Sequence, residues 1–151
     1  MVQIAAQIPP ATRLALCDRS TIPGAVDGAW WPSSSDLRTQ LPDLVEVLGL
    51  KIGPVRRIVY DPSAWLPAPS RIIRGTTVIT VDPYAMVSCD TIYLVGTHSR
   101  DAVLYIVPPS SPGDAVWRVL RAVADETQPM SVTVLRHLVG HFTSTTERSE
   151  Q

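Results

Sequence analysis

The chain has 151 residues, 45% hydrophobic and 18% charged, with a formal net charge of -1. That length fits one domain burying roughly 68–70% of its unfolded surface, and the composition excludes a disordered or membrane-embedded chain. The charge balance lacks the basic excess of a general nucleic-acid binder, and no apolar run reaches the roughly 18 residues of a membrane span.

The amino terminus, Met1-Val2-Gln3-Ile4, has no basic region ahead of a long apolar run, so no signal peptide is expected. The two cysteines, Cys17 and Cys89, are sparse and read as free thiols of a reducing compartment, so a cytoplasmic protein is expected. Twelve arginines stand against one lysine, Lys51.

Residues 1–10 end in Pro9-Pro10, carry no charge and read as a loose arm. A first strand is predicted over 12–17, where Leu14 and Leu16 alternate with Arg13 and Ala15 and face inward. A loop through Pro23, Gly24 and Asp27-Gly28 then delivers Asp27-Gly28-Ala29-Trp30-Trp31-Pro32, which holds two of the four tryptophans. The Asp-Gly step supplies a position that tolerates positive φ, and Pro32 pushes Trp31 out of the α region, so the chain is extended here. Neighbouring side chains of an extended segment point to opposite faces, so one ring is expected in the core and the other on a surface or in a groove. The pattern requires that the rings differ and does not say which is inside. Full burial of one is an upper-bound gain of about 4–6 kcal/mol before entropy is subtracted.

Ser33-Ser34-Ser35 and Asp36 form a helix start, and Leu37, Leu41, Leu44, Val45 and Leu48 make one apolar stripe. An interior proline costs about 3 kcal/mol, so Pro42 predicts two helical pieces, 36–40 and 42–50, ended by Gly49 or Gly53. Strands are predicted at 55–60, at 71–82 with a break or bulge at Gly75, and at 90–97 and 102–107 as a hairpin. Between the first two, Asp61-Pro62 turns the chain into Trp65-Leu66-Pro67-Ala68-Pro69, an extended edge crossing. Pro108-Pro109 stops the sheet, and Asp114 caps a helix with Val116, Val119, Leu120 and Val123 inside and Arg118 and Arg121 outside. Ser131 caps a short terminal helix over 131–142, and 143–151 read as a disordered polar tail. The expected fold is a single α+β domain over 1–142: an antiparallel sheet of about five strands with helices on one face, in strand-helix-four strands-helix order. That order is similar to a TATA-binding-like or helix-grip arrangement, a likeness of fold that implies no DNA binding.

Chemical motifs are sparse. His137 and His141 stand four apart on a helix, but Leu138 occupies the position where a zinc-protease pattern needs glutamate, and His98 lies in a hairpin loop, so no metal is expected. Neither cysteine belongs to a Cys-x-x-Cys pair, and Gly-x-Ser-x-Gly and phosphate-loop patterns are absent. Asp27 and Asp36 flank the tryptophans and Asp61 precedes Trp65, a placement that suits sugar chemistry, but Asp before Gly or Pro and Asp at a helix start are the commonest turn and cap uses of aspartate, and these are the reading favoured here. Arg56, Arg57, Arg71 and Arg74 fall on two predicted neighbouring strands, where alternation lets about half of them share one patch.

The block Asp27-Gly28-Ala29-Trp30-Trp31-Pro32, with Ser35-Asp36-Leu37, Leu41-Pro42, Gly53-Pro54-Val55, Tyr60, Trp65, Ala68-Pro69 and Pro108-Pro109, resembles an uncharacterised actinobacterial family, a domain of unknown function. The resemblance covers most of residues 12–124 and implies a small cytoplasmic domain without a known activity. Ser70 stands where a basic residue is expected from it. The leading expectation is a non-catalytic module that binds a small molecule or a protein partner through an aromatic surface formed by Trp31, Trp65, Asp27, Tyr60 and Arg71, without a cofactor. The alternatives are an enzyme using Asp27 or Asp61 as acid or base, and a regulatory nucleic-acid contact through the four strand arginines.

Overall fold

A computed structural model describes residues 13–17, 25–85, 88–97, 100–125 and 130–149. In chain order these form β1 (Leu14–Leu16), β2 (Ala25–Val26), β3 (Gly28–Trp30), α1 (Leu37–Ile52), β4 (Val55–Tyr60), β5 (Arg71–Arg74), β6 (Thr77–Pro83), β7 (Thr91–Gly96), β8 (Asp101–Ile106), α2 (Gly113–Asp125), β9 (Met130–Ser131) and α3 (Val132–Ser149). The fold is α+β. Among the described residues the strands pair in the order β1-β3-β8-β7-β4-β6-β5, with β2 and β9 as a separate pair. The sheet therefore has seven strands rather than five, and it is mixed, because β4 and β6 run parallel. The expectation of an antiparallel sheet rested on short connections. Residues 61–76 are long enough for a crossover, which needs a dozen residues or more, and they place β5 at the edge and β6 beside β4.

The chain divides into two compact units, Met1–Ser33 with Tyr105–Gln151, and Ser34–Leu104. In the first unit β1 pairs antiparallel with β3, with Ala15 opposite Ala29 and Leu16 opposite Gly28. Gly28 is required by close approach and not by positive φ: a Cβ there would lie 2.2 Å from the carbonyl oxygen of Ala15. Both tryptophans are buried, Trp30 at 4% and Trp31 at 7% exposure, which corrects the expectation of one inward and one outward ring. The two rings do leave an extended segment, but both of its sides are covered. Helix α2 packs on β1 and β3 and buries Ala115, Val116, Val119, Leu120 and Val123. Val107 N donates to Trp30 O at 2.8 Å, and a Cβ added to Gly113 would stand 3.8 Å from the edge of the Trp31 ring.

In the second unit α1 is one continuous helix and not two pieces. Its N-cap is Asp36, whose carboxylate accepts from Arg38 N at 3.1 Å, and it ends at Gly53. Pro42 stays inside it because the buried stripe Leu37, Leu41, Leu44, Val45 and Leu48 runs across the proline. Each such side chain gains about 1.5–3 kcal/mol on burial, so together they outweigh the roughly 3 kcal/mol that the proline costs. The predicted long strand over 71–82 is instead the hairpin of β5 and β6, with Arg74 opposite Thr77. Gly75 reverses the chain with φ 61°, as a first central residue of a two-residue turn requires.

Asp114 lies in the first turn of α2 rather than at its cap. Ser131 Oγ does accept from Val134 N, at 3.2 Å, at the start of α3, and that helix continues through 143–149, the stretch read as a polar tail. The loose arm, the loop through Pro23 and Gly24, and His98 lie outside the described residues. No helix is long and apolar enough to cross a membrane among the described residues. Replacing Trp30 or Trp31 by alanine is expected to cost about 3–5 kcal/mol in either case, measured by denaturant unfolding. Retention of wild-type stability by Trp31→Ala would contradict its place in the core. Gly28→Ala is expected to cost about 3 kcal/mol, because β1 must move to admit the methyl group.

Candidate functional site

In the second unit a groove of about 310 Å³ opens between α1 and the strands β4 and β6. Three buried side chains, Val45, Val55 and Ile79, make its floor. They are placed there by the helical stripe of α1 and the two-residue alternation of the strands, which turn apolar groups to one side. Glu46 and Arg74, both exposed, bring a carboxylate and a guanidinium to the rim, and Thr77 adds a hydroxyl. Gly49 contributes no side chain, and a Cβ placed on it would meet nothing within 4 Å. Arg74 is held toward α1 by donating to Pro42 O at 3.4 Å. The groove thus offers an apolar floor with one fixed cation and one anion at its lip. Its volume lies at the lower end of the range for small-molecule sites.

The residues expected to form an aromatic surface are placed differently. Trp65, at 8% exposure, and Tyr60 are buried in the second unit. Asp61, between them, is also buried, and its Oδ1 accepts from Ser63 N at 2.9 Å and from Ser63 Oγ at 2.7 Å, the bonds of an Asx turn. Leu66 N donates to Ser35 O at 3.0 Å and fixes the crossing segment to the start of α1. Arg71 is exposed on β5. Among the other strand arginines, Arg57 pairs with Asp82 at 2.9 Å and Arg56 donates to Gly96 O.

In the first unit Asp27 is half-buried, and its backbone carbonyl accepts from Cys17 N at 3.0 Å. Trp31 lies under Arg13, whose guanidinium carbon stands 4.0 Å from the ring centroid. Arg13 Nε donates to Trp31 O at 2.7 Å, and Trp31 N returns a bond to Arg13 O. Burial pushes the Arg13 guanidinium below its ordinary value. It remains charged at neutral pH, because arginine starts so high. The indole Nε1 of Trp31 is buried without a hydrogen-bond partner among the described residues, a cost of about 1–3 kcal/mol set against burial of the whole ring. His137 and His141 are exposed on α3, and the described residues contain no group of three metal-ligating side chains. No disulfide joins Cys17 to Cys89.

Arg74 and Val45 stand out in the sequence, but the groove that joins them does not. The available signal was Gly49, a glycine inside a continuous helical pattern, where a glycine costs about 1 kcal/mol relative to alanine. Arg13→Leu is expected to uncover Trp31 and to cost about 2 kcal/mol through the lost cation–π contact and charged hydrogen bond. Tryptophan emission shifted to longer wavelength, with a lower unfolding midpoint, would register it.

No curated protein and no solved structure matches the chain. A family model described as a family of unknown function, DUF5994, matches residues 13–123, from the residue before β1 to the last buried residue of α2. The matched part contains the tryptophan pair, α1 and every residue of the groove, and the chain belongs to this family of unknown function.

Proposed function

We propose that this protein is a binding module, not an enzyme, that takes a small apolar carboxylic acid into the groove between α1, β4 and β6. One observation carries the reading: a buried aliphatic floor with a guanidinium and a carboxylate at its lip, beneath a helix position without a side chain. The apolar body would lie on Val45, Val55 and Ile79, and Arg74 would donate to the carboxylate. An amino group on the ligand would be met by Glu46, so amino acids with apolar side chains use both charges.

The competing readings have less support. Asp61, the carboxylate beside Trp65, is committed to the turn at Ser63, which is a structural use. Among the four arginines considered for nucleic acid, Arg56, Arg57 and Arg74 are engaged within the protein. A cytoplasmic setting, favoured by two sparse and unbridged cysteines, and an actinobacterial source belong to the same reading.

The test is a thermal-shift series of aliphatic and aromatic carboxylic acids and apolar amino acids, run on the wild type and on Gly49→Phe. Gly49 lines the groove and a Cβ on it has open space, so the phenylalanine side chain is intended to occupy the groove, and an unchanged melting temperature of the free variant checks that the fold is kept. A ligand at 100 times its dissociation constant adds about 2.7 kcal/mol, or roughly 5–10 °C for a domain of this size. The wild type should show such a rise and Gly49→Phe should lose it. No response in the wild type, or an equal response in both, would show the reading to be wrong.

A further inference from the structure

Among the described residues strand β5 ends the sheet: it pairs with β6 on one side and has no neighbour on the other in the strand order. Val81 N donates to Ser70 O at 2.9 Å, so the alternation of an antiparallel ladder turns Ile72 and Arg74 toward β6. The N–H and C=O groups of Arg71 and Ile73 consequently point away from the sheet. Beside this row Ile73 is 66% exposed, and Val78, directly across from it on β6, is 50% exposed. Arg71 shares their face. Among the described residues no carboxylate pairs with Arg71 or Arg74, whereas the nearby Arg57 is taken by Asp82.

A bare edge of this kind is a template for one more strand. A second copy of the chain is a poor occupant, because edge-to-edge pairing would gather Arg71 and Arg74 of both copies along strands four residues long. Like charges brought together across strands are destabilising. A strand with an acidic side chain opposite Arg71 and an aliphatic one two residues away, opposite Ile73, satisfies the backbone row, the cation and the apolar pair at once. We propose that β5 is a docking edge for an extended, acidic-x-aliphatic segment of a partner protein, which joins the sheet by strand addition. Arg71 then acts twice, keeping like edges apart and selecting the acidic strand. This site uses the outward row of β5 and does not depend on the groove reading.

The probe is a fluorescein-labelled peptide of two Glu-Thr-Val-Thr repeats, in which glutamate and valine share one face, titrated against the full chain by fluorescence anisotropy. Binding is expected, and replacing each glutamate by lysine, or methylating alternate backbone nitrogens of the peptide, should abolish it. Arg71→Glu should weaken binding at least tenfold. Ile73→Pro should abolish it while leaving the β6 ladder intact, because only the outward N–H is removed; an unchanged melting temperature checks that the fold is kept. In hydrogen exchange the Arg71 and Ile73 amides should be open in the free protein and gain protection with the peptide. The proposal is overturned if the wild type does not bind, if the lysine peptide binds equally, or if methylation has no effect. It is also overturned if those amides are already protected in a concentration-dependent dimer, which would assign the edge to a second copy.

Discussion

The carbonyl oxygen of Ala15 leaves room for a hydrogen and nothing larger at position 28, since a Cβ there would stand 2.2 Å away. This contact sets how closely β1 approaches β3, and the approach decides the fate of both tryptophans. With β1 in register, Arg13 comes over the Trp31 ring and bonds its carbonyl, and on the other side of the pair Trp30 O is bonded by Val107 N. Helix α2 completes the enclosure with an apolar stripe of its own. A tryptophan pair that looks like a recognition surface in one dimension is therefore the means by which the first unit closes its core.

In the second unit a different balance operates. The stripe of α1 is continuous across Pro42, and burying five aliphatic side chains outweighs one lost helical hydrogen bond and a crowded carbonyl. Continuity carries the helix past Gly49, and Gly49 then leaves open space beside the strands. The groove exists because a helix that local propensity would have ended is prolonged by packing. Its charged lip follows from the hairpin: the Gly75 turn returns the chain so that Arg74 bonds Pro42 O while Thr77 and Ile79 face the same space.

Much of the fold was legible in the sequence, wherever one physical rule acts alone. The stripes of α1 and α2 match their buried residues, Asp36 and Ser131 bond the first-turn amides of their helices, and the strand over 55–60 coincides with β4. What was illegible depends on tertiary partners. That Trp31 is covered depends on Arg13 and Gly113, distant in sequence. That β6 lies parallel to β4 depends on the course of residues 61–76, which local turn chemistry does not define. Arg71 was expected beside the buried aromatics and is instead on an open edge, because Gly75 reverses the chain rather than bulging it. The groove was missed because a mid-helix glycine reads as a stop in one dimension and as an opening in three.

We propose that recognition lies in the groove of the second unit, while burial makes Trp30, Trp31 and Trp65 structural. The most direct measurement is a two-dimensional nitrogen–proton spectrum during titration with a small apolar amino acid, following backbone amides and the four tryptophan indole N–H signals together. A ligand in the groove should shift the amides of Val45, Glu46, Gly49, Val55, Arg74, Thr77 and Ile79 and leave the indole signals of Trp31 and Trp65 unmoved. Movement of those two indole signals, with the groove amides unchanged, would contradict the proposal.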